Sequence, residues 1–162
     1  MNKKKFLYWI PTIICMLIIF NFSSENSEVS SSTSGNVGRW LLKTFYNGFE
    51  KLSSIEQSQI VESIQFYIRK TAHFSIYALL GACTHFGTLA NQKISHQKNV
   101  FISLLICLVY ASSDEIHQLF ISGRSGQVSD VLLDFTGSIF GTIIFLIALK
   151  IIQMIRLKKS KQ

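Results

Sequence analysis

Charge is scarce in this chain: Asp, Glu, Lys and Arg make up 15% of it, and one proline stands against thirteen Phe. The three cysteines, Cys15, Cys83 and Cys107, form no CxxC pair, and each lies inside an apolar run. That excludes a disulfide framework and a zinc site and leaves three buried, inert thiols. No P-loop, GxGxxG, haem or HExxH motif occurs. Nucleotide, redox-cofactor and zinc-peptidase chemistry therefore have no footing, and neither a cofactor nor a metal is expected. The net charge of +7 does not point to nucleic acid, because the basic residues flank hydrophobic runs instead of forming a stripe.

What the chain does have is long apolar stretches: 48% of it is hydrophobic and the mean hydropathy is +0.32. Four runs have or approach the length of a membrane span, about 20 residues. They cover residues 6–22, 72–90, 100–121 and 131–155. The first follows Lys3-Lys4-Lys5, as a secretory signal would, but no A-x-A-like cleavage site follows it, which favours an uncleaved anchor. The third is apolar or small only as far as Ser113 and reaches span length by taking in Asp114 to Ile121. Backbone polar groups in hydrocarbon must be satisfied within the segment, so these runs are predicted to be helices. The expected fold is an all-α integral membrane bundle of about four spans. It forms one domain over 1–162, with a small external helical segment, 23–71, between spans one and two.

Charge orients the bundle. With the N-terminus inside, ten basic residues lie on cytoplasmic segments: Lys3, Lys4, Lys5, Lys93, Lys98, Lys150, Arg156, Lys158, Lys159 and Lys161. Six lie outside: Arg39, Lys43, Lys51, Arg69, Lys70 and Arg124. The positive-inside rule thus predicts a multi-pass plasma-membrane protein with both termini cytoplasmic. All nine acids fall on the external side under this topology. Within the external segment, Ser23 to Ser34 reads as a flexible linker. Val37, Trp40, Leu41, Phe45, Phe49 and Leu52 then recur at helical spacing. A further helix is predicted from Ser53 or Ser54, where Ser53 with Glu56, or Ser54 with Gln57, makes a capping box.

Polar groups gather at the external ends of the spans. Lys70, His73 and Tyr77 are spaced to line one helix face at the start of span two. Asp114, Glu115, His117 and Gln118 close span three, the loop 122–130 carries Gly-Arg124-Ser-Gly, and Asp130 and Asp134 open span four. An Asp, Lys or Arg costs about 2.5 to 3.5 kcal/mol at a helix centre and less toward the interface, so these groups are expected to pair, with Lys70, Arg124 and the histidines as the cations. Such pairs serve either a clamp between helix ends or a functional pocket. The candidate ligand-binding residues are Lys70, His73, Tyr77, Asp114, Glu115, Gln118, Arg124 and Asp130. For acid–base chemistry the candidates are His73, Asp114, Glu115 and His117. His85 reads as a packing histidine, and Gly137 with Gly141 makes a GxxxG packing motif.

Taken in order, Arg69-Lys70-Thr-Ala-His73-Phe-Ser-Ile-Tyr77, Ser113-Asp114-Glu115-Ile-His117-Gln118, Gly123-Arg124-Ser-Gly126 and Asp130-Val-Leu-Leu-Asp134-Phe-Thr-Gly137 resemble the VanZ-like family over about residues 6–150. The family pattern often has Asn where this chain has Asp134. The resemblance implies a small bacterial plasma-membrane protein, and the family's namesake is associated with low-level resistance to the glycopeptide teicoplanin. Two functions compete at this point. One is engagement of a membrane lipid, a lipid-linked cell-wall precursor or a lipoglycopeptide at the outer leaflet. The other is a membrane-embedded enzyme with a His/carboxylate acid–base pair. A transporter would need polar groups through the midplane, where only His85 stands.

Overall fold

A computed structural model of the protein describes residues 3–90 and 95–159; Lys93 and Lys161, two of the basic residues counted toward the expected orientation, lie outside the described residues. Among the described residues every regular element is helical. In chain order these are α1 (Lys3–Phe6), a 3-10 turn (Leu7–Trp9), α2 (Ile10–Ser23), α3 (Ser27–Phe45), a 3-10 turn (Phe49–Lys51), α4 (Ser54–Thr88), α5 (His96–Gln118) and α6 (Val128–Lys159). Pro11, in the first turn of α2, removes an N–H that would have no helical partner there.

The Ser-rich stretch after Ser23 is a helix, not a linker. Asn26 Oδ1 accepts from the Val29 N–H at 2.9 Å and starts α3. Ser34 then donates to the carbonyls of Ser30 and Ser31, so its hydroxyl is satisfied inside the helix. Small residues suit the packing as well. A Cβ at Gly38 would stand 3.1 Å from the Ile68 side chain and one at Gly35 2.8 Å from Gln65, so α3 lies close along α4. Helices α2 and α3 meet at 107°.

Helix α4 starts at the Ser53–Glu56 capping box. The Glu56 carboxylate accepts from the Ser53 N–H and hydroxyl at 2.8 and 2.7 Å, which holds it below the usual carboxylate range. The helix then runs 35 residues without a break, about 52 Å at 1.5 Å per residue. The predicted external helix and the second apolar run are therefore one element, since no Gly or Pro interrupts the chain before Gly81.

Helix α4 is the centre of the bundle and packs on α2, α3, α5 and α6. Its seam with α6 is built on glycine. A Cβ at Gly141 would collide with the Ala78 carbonyl, one at Gly81 with the Ser138 carbonyl, and one at Gly137 would lie 2.5 Å from the Phe74 carbonyl. The two backbones therefore touch, as a small-xxx-small stripe permits.

Burial is inverted relative to a water-soluble fold. Thr84, His85, Ser103, Asp134 and Ser138 are each 0% exposed, while Phe101, Val109, Leu132 and Leu17 are more than half exposed. Polar residues inside and large apolar ones outside are what a hydrocarbon solvent selects. By length and apolarity α5 and α6 can each cross a membrane, and the bent pair formed by Leu7–Ser23 and Ser27–Phe45 makes a third span if counted as one. The three cysteines are free, and Cys15 and Cys83 touch through their sulfurs at 3.8 Å.

Candidate functional site

The end of α2, the start of α3, the middle of α4, the end of α5 and the start of α6 converge with the 119–127 loop. Two glycines shape that loop. Gly123 has φ of 73°, the left-handed region that side chains disfavour, and a Cβ there would strike the Ser27 hydroxyl. Gly126 lies against the Glu115 carbonyl, 2.5 Å from where its Cβ would be. The resulting path aims the Gln127 N–H at Glu115 Oε2, 2.8 Å away.

Three carboxylates meet beneath the loop. Asp114 and Glu115 are each 4% exposed and Asp134 is 0% exposed. One oxygen from each lies within 4.8 Å of the others. Asp114 accepts from the Ser23 hydroxyl at 2.8 Å, and the buried Gln118 amide reaches toward both Asp114 (3.4 Å) and Glu115 (3.3 Å). Neither oxygen of Asp134 has a hydrogen-bond partner; its neighbouring basic side chain is His73, with Nδ1 3.6 Å from Oδ1. Tyr77, fully buried one turn further along α4, has a hydroxyl without a hydrogen-bond partner of regular geometry, in the field of Asp114 and Asp134.

The expected cations go elsewhere. Lys70 pairs with Asp130 and sits 5.3 Å from the centre of the Phe66 ring. Arg124 donates from Nε to the Glu25 carbonyl at 2.9 Å and from Nη2 to the Phe22 carbonyl at 3.1 Å, which ties the loop to the α2–α3 bend. Burial, with Arg69 close by, pulls its guanidinium below the ordinary arginine value; it stays charged. Neither Lys70 nor Arg124 forms an ion pair with Asp114 or Glu115, contrary to the pairing expected from sequence. Lys70 and His73 step along α4 one turn apart and meet Asp130 and Asp134 one turn apart on α6, so helix pairing selects those partners.

Two cavities adjoin at this end. A polar one of about 230 Å³ is lined by Arg69, Lys70, His73, Gln118, Arg124, Gln127, Asp130 and Asp134, among others. An apolar groove of about 310 Å³ runs beneath α3 past Ile19, Phe22, Val37, Ile68, Ala72 and Ile76. Arg69, His73 and Arg124 line both.

Of the residues singled out from sequence, Lys70, His73, Gln118, Arg124 and Asp130 line the polar cavity, while Asp114, Glu115 and Tyr77 form its buried surroundings. His117 is not brought in: it stacks on Phe20 at 4.8 Å and its Nε2 lies 3.2 Å from the Ser24 hydroxyl. Asp134 and Arg69, noted in the sequence among the polar groups at this end, are not among its candidate site residues, and Ser23 is not noted among those groups at all. An acid inside an apolar run is itself a signal of function, and Asp134 carried it. Ser23 carried no signal, since only the fold brings it to Asp114, 91 positions away.

No curated protein and no solved structure matches the chain. The pattern described as VanZ/LLP1 matches residues 8–150. That stretch contains every side chain of the site and the whole α4–α6 seam, and the chain belongs to the VanZ/LLP1 family.

Proposed function

We propose that this is a bacterial plasma-membrane protein that holds a lipid-linked or lipidated ligand at the outer leaflet. The observation that carries the reading is the junction of the two cavities at Arg69, His73 and Arg124. A polar chamber with three cationic side chains on its wall suits an anionic head group, and the apolar groove joined to it suits the attached chain. In this reading α2, the lower part of α4, α5 and α6 make four spans with both termini cytoplasmic. Lys70, Arg69 and Arg124 attract the head group, and Gln118 and Gln127 supply uncharged hydrogen bonds. A cell-wall precursor on a lipid carrier and a lipoglycopeptide such as teicoplanin both have this chemistry.

The test is native mass spectrometry of the protein released from bacterial membranes, wild type against an Arg69→Gln, His73→Gln double variant. Wild type is expected to retain an anionic amphiphile that the variant loses; equal retention by both sinks the reading. The resistance role is checked separately, by expressing the protein in a sensitive host. A rise in tolerance to teicoplanin but not vancomycin, lost in an Asp114→Asn, Glu115→Gln variant, supports it, and no rise with well-expressed wild type removes it.

One observation favours a second reading, a membrane-embedded enzyme. His73 and Asp134 form a histidine–carboxylate pair on the wall of the polar chamber, an arrangement suited to general acid–base work on a bound lipid. That reading requires turnover of an envelope lipid and its near-complete loss in Asp134→Asn.

A further inference from the structure

We propose that Asp114, Glu115 and Asp134 bind one divalent cation with hard-ligand preference, of the magnesium, calcium or manganese type. The three carboxylates are almost wholly buried, and one oxygen from each lies within 4.8 Å of the others. Three oxygens at most 4.8 Å from one another leave a central point no more than about 2.8 Å from each, so a small inward adjustment brings all three to the roughly 2.3–2.6 Å of calcium–oxygen bonds. An all-oxygen donor set favours these metals over zinc or copper.

Charge balance makes the same demand. Three buried carboxylates have one basic side chain within ion-pair distance among the described residues, His73, itself 3.6 Å from Asp134. Lys70 is paired with Asp130, and Arg124, bonded to two neutral main-chain carbonyls, acts on Asp114 and Glu115 only from beyond ion-pair distance. The hydrogen bonds present go to Asp114 and Glu115 and leave both oxygens of Asp134 without a donor. Uncompensated acids at this depth are costly. The independent observation is Tyr77: a fully buried hydroxyl with no regular hydrogen bond, in the field of Asp114 and Asp134, positioned as a further oxygen donor to the ion or its water. His73, Gln118 and Asp134 also line the polar chamber, so the ion would lie at the chamber's floor and add positive charge beneath a bound anionic group.

The experiment uses the full chain in phosphatidylcholine nanodiscs, stripped with EDTA and titrated with Mn²⁺, with free Mn²⁺ read by electron paramagnetic resonance. One Mn²⁺ per chain is expected, displaced by Mg²⁺ or Ca²⁺ and accompanied by a rise in melting temperature. Asp134→Asn, which removes no hydrogen bond, is expected to weaken binding by at least about tenfold. Glu62→Gln, at an exposed acid of α4, should bind as wild type does. Folded wild type that takes up no Mn²⁺, or Asp134→Asn that binds it undiminished, overturns the site. If a variant fails to fold, the wild-type stoichiometry decides. The ion site does not depend on the amphiphile reading. Mn²⁺ binding without a co-purified lipid upholds it, and lipid retention without Mn²⁺ overturns it while leaving the lipid pocket intact.

Discussion

Two polar clusters occupy the same bundle and are built on opposite principles. Around His85, about 12 Å along α4 from Tyr77, the groups are neutral hydroxyls and an imidazole. Ser103 donates to the Asn99 and Val100 carbonyls of its own helix, Thr88 to His85, and Thr142 to Ser138. His85 Nδ1 lies 3.2 Å from the Ser103 hydroxyl, one bond across helices. In the Asp114–Glu115–Asp134 cluster the partners come mostly from separate elements: Ser23 of α2 on Asp114, Gln127 of the loop on Glu115 and His73 of α4 beside Asp134, with Gln118 the one partner from the helix of Asp114 and Glu115 themselves. A hydroxyl inside a bundle can be satisfied by its own helix, whereas a carboxylate needs the tertiary structure. The first cluster is ordinary packing, and the second exists only when five segments are assembled.

The harshest way to break this contrast is to part the helices that support both clusters. Gly141→Leu, driving a side chain into the Ala78 carbonyl, is expected to cost about 3 kcal/mol or more and to abolish a monodisperse folded species in detergent. A folded Gly141→Leu of unchanged melting temperature would show that the seam supports neither cluster. Next in size is Arg124→Gln, which removes the guanidinium's bonds to the Phe22 and Glu25 carbonyls. A loss of about 2 kcal/mol in thermal unfolding is expected, together with faster proteolysis at the α2–α3 bend.

Asp134→Asn sharpens the contrast by going the other way. In EDTA it removes a buried carboxylate that has no hydrogen-bond donor and only His73, 3.6 Å away, beside it, and should stabilise the protein by about 1 to 2 kcal/mol while weakening cation binding. A fall in stability would mean that the His73 pair already compensates the charge. Ser103→Ala, in the neutral cluster, should cost no more than about 1 kcal/mol and leave lipid retention unaltered. The smallest effect lies outside both clusters, at the capping box. Because the folded carboxyl of Glu56 titrates below its unfolded value, its contribution is present above the unfolded pKa and is lost as pH falls through the folded one. Protection factors for amide exchange at residues 54–57, taken against the intrinsic rate at each pH, should therefore fall at acid pH in wild type and be less pH-dependent in Ser53→Ala.

The helical class, the capping box at Ser53, the close approach of Gly137 and Gly141, and the single face shared by Lys70, His73 and Tyr77 were legible because each depends on local spacing. What escaped depends on distance in the chain. Ser27 to Ser34 looks like a linker by composition, yet it is helical because Asn26 caps it and its small side chains fit against α4. The continuity of α4 was hidden by a change of composition near Ala72 with no helix breaker to accompany it. Charge pairing was read by proximity of opposite signs, but the loop path fixed by Gly123 and Gly126 carries Arg124 to main-chain carbonyls. His117 shares its helix with Asp114 and Glu115, but it faces Phe20 and Ser24.

Where α4 and α6 touch at Gly81, Gly137 and Gly141, no side chains stand between the backbones to act as a compressible layer. Those two helices therefore behave mechanically as one stiff plank. On the proposed function, room for the chain of a ligand would have to come from the other wall of the groove. That wall is α3, which leaves α2 at a 107° bend held by Arg124 through the Phe22 and Glu25 carbonyls, so on the proposed function the bend is the place where the groove would have to widen.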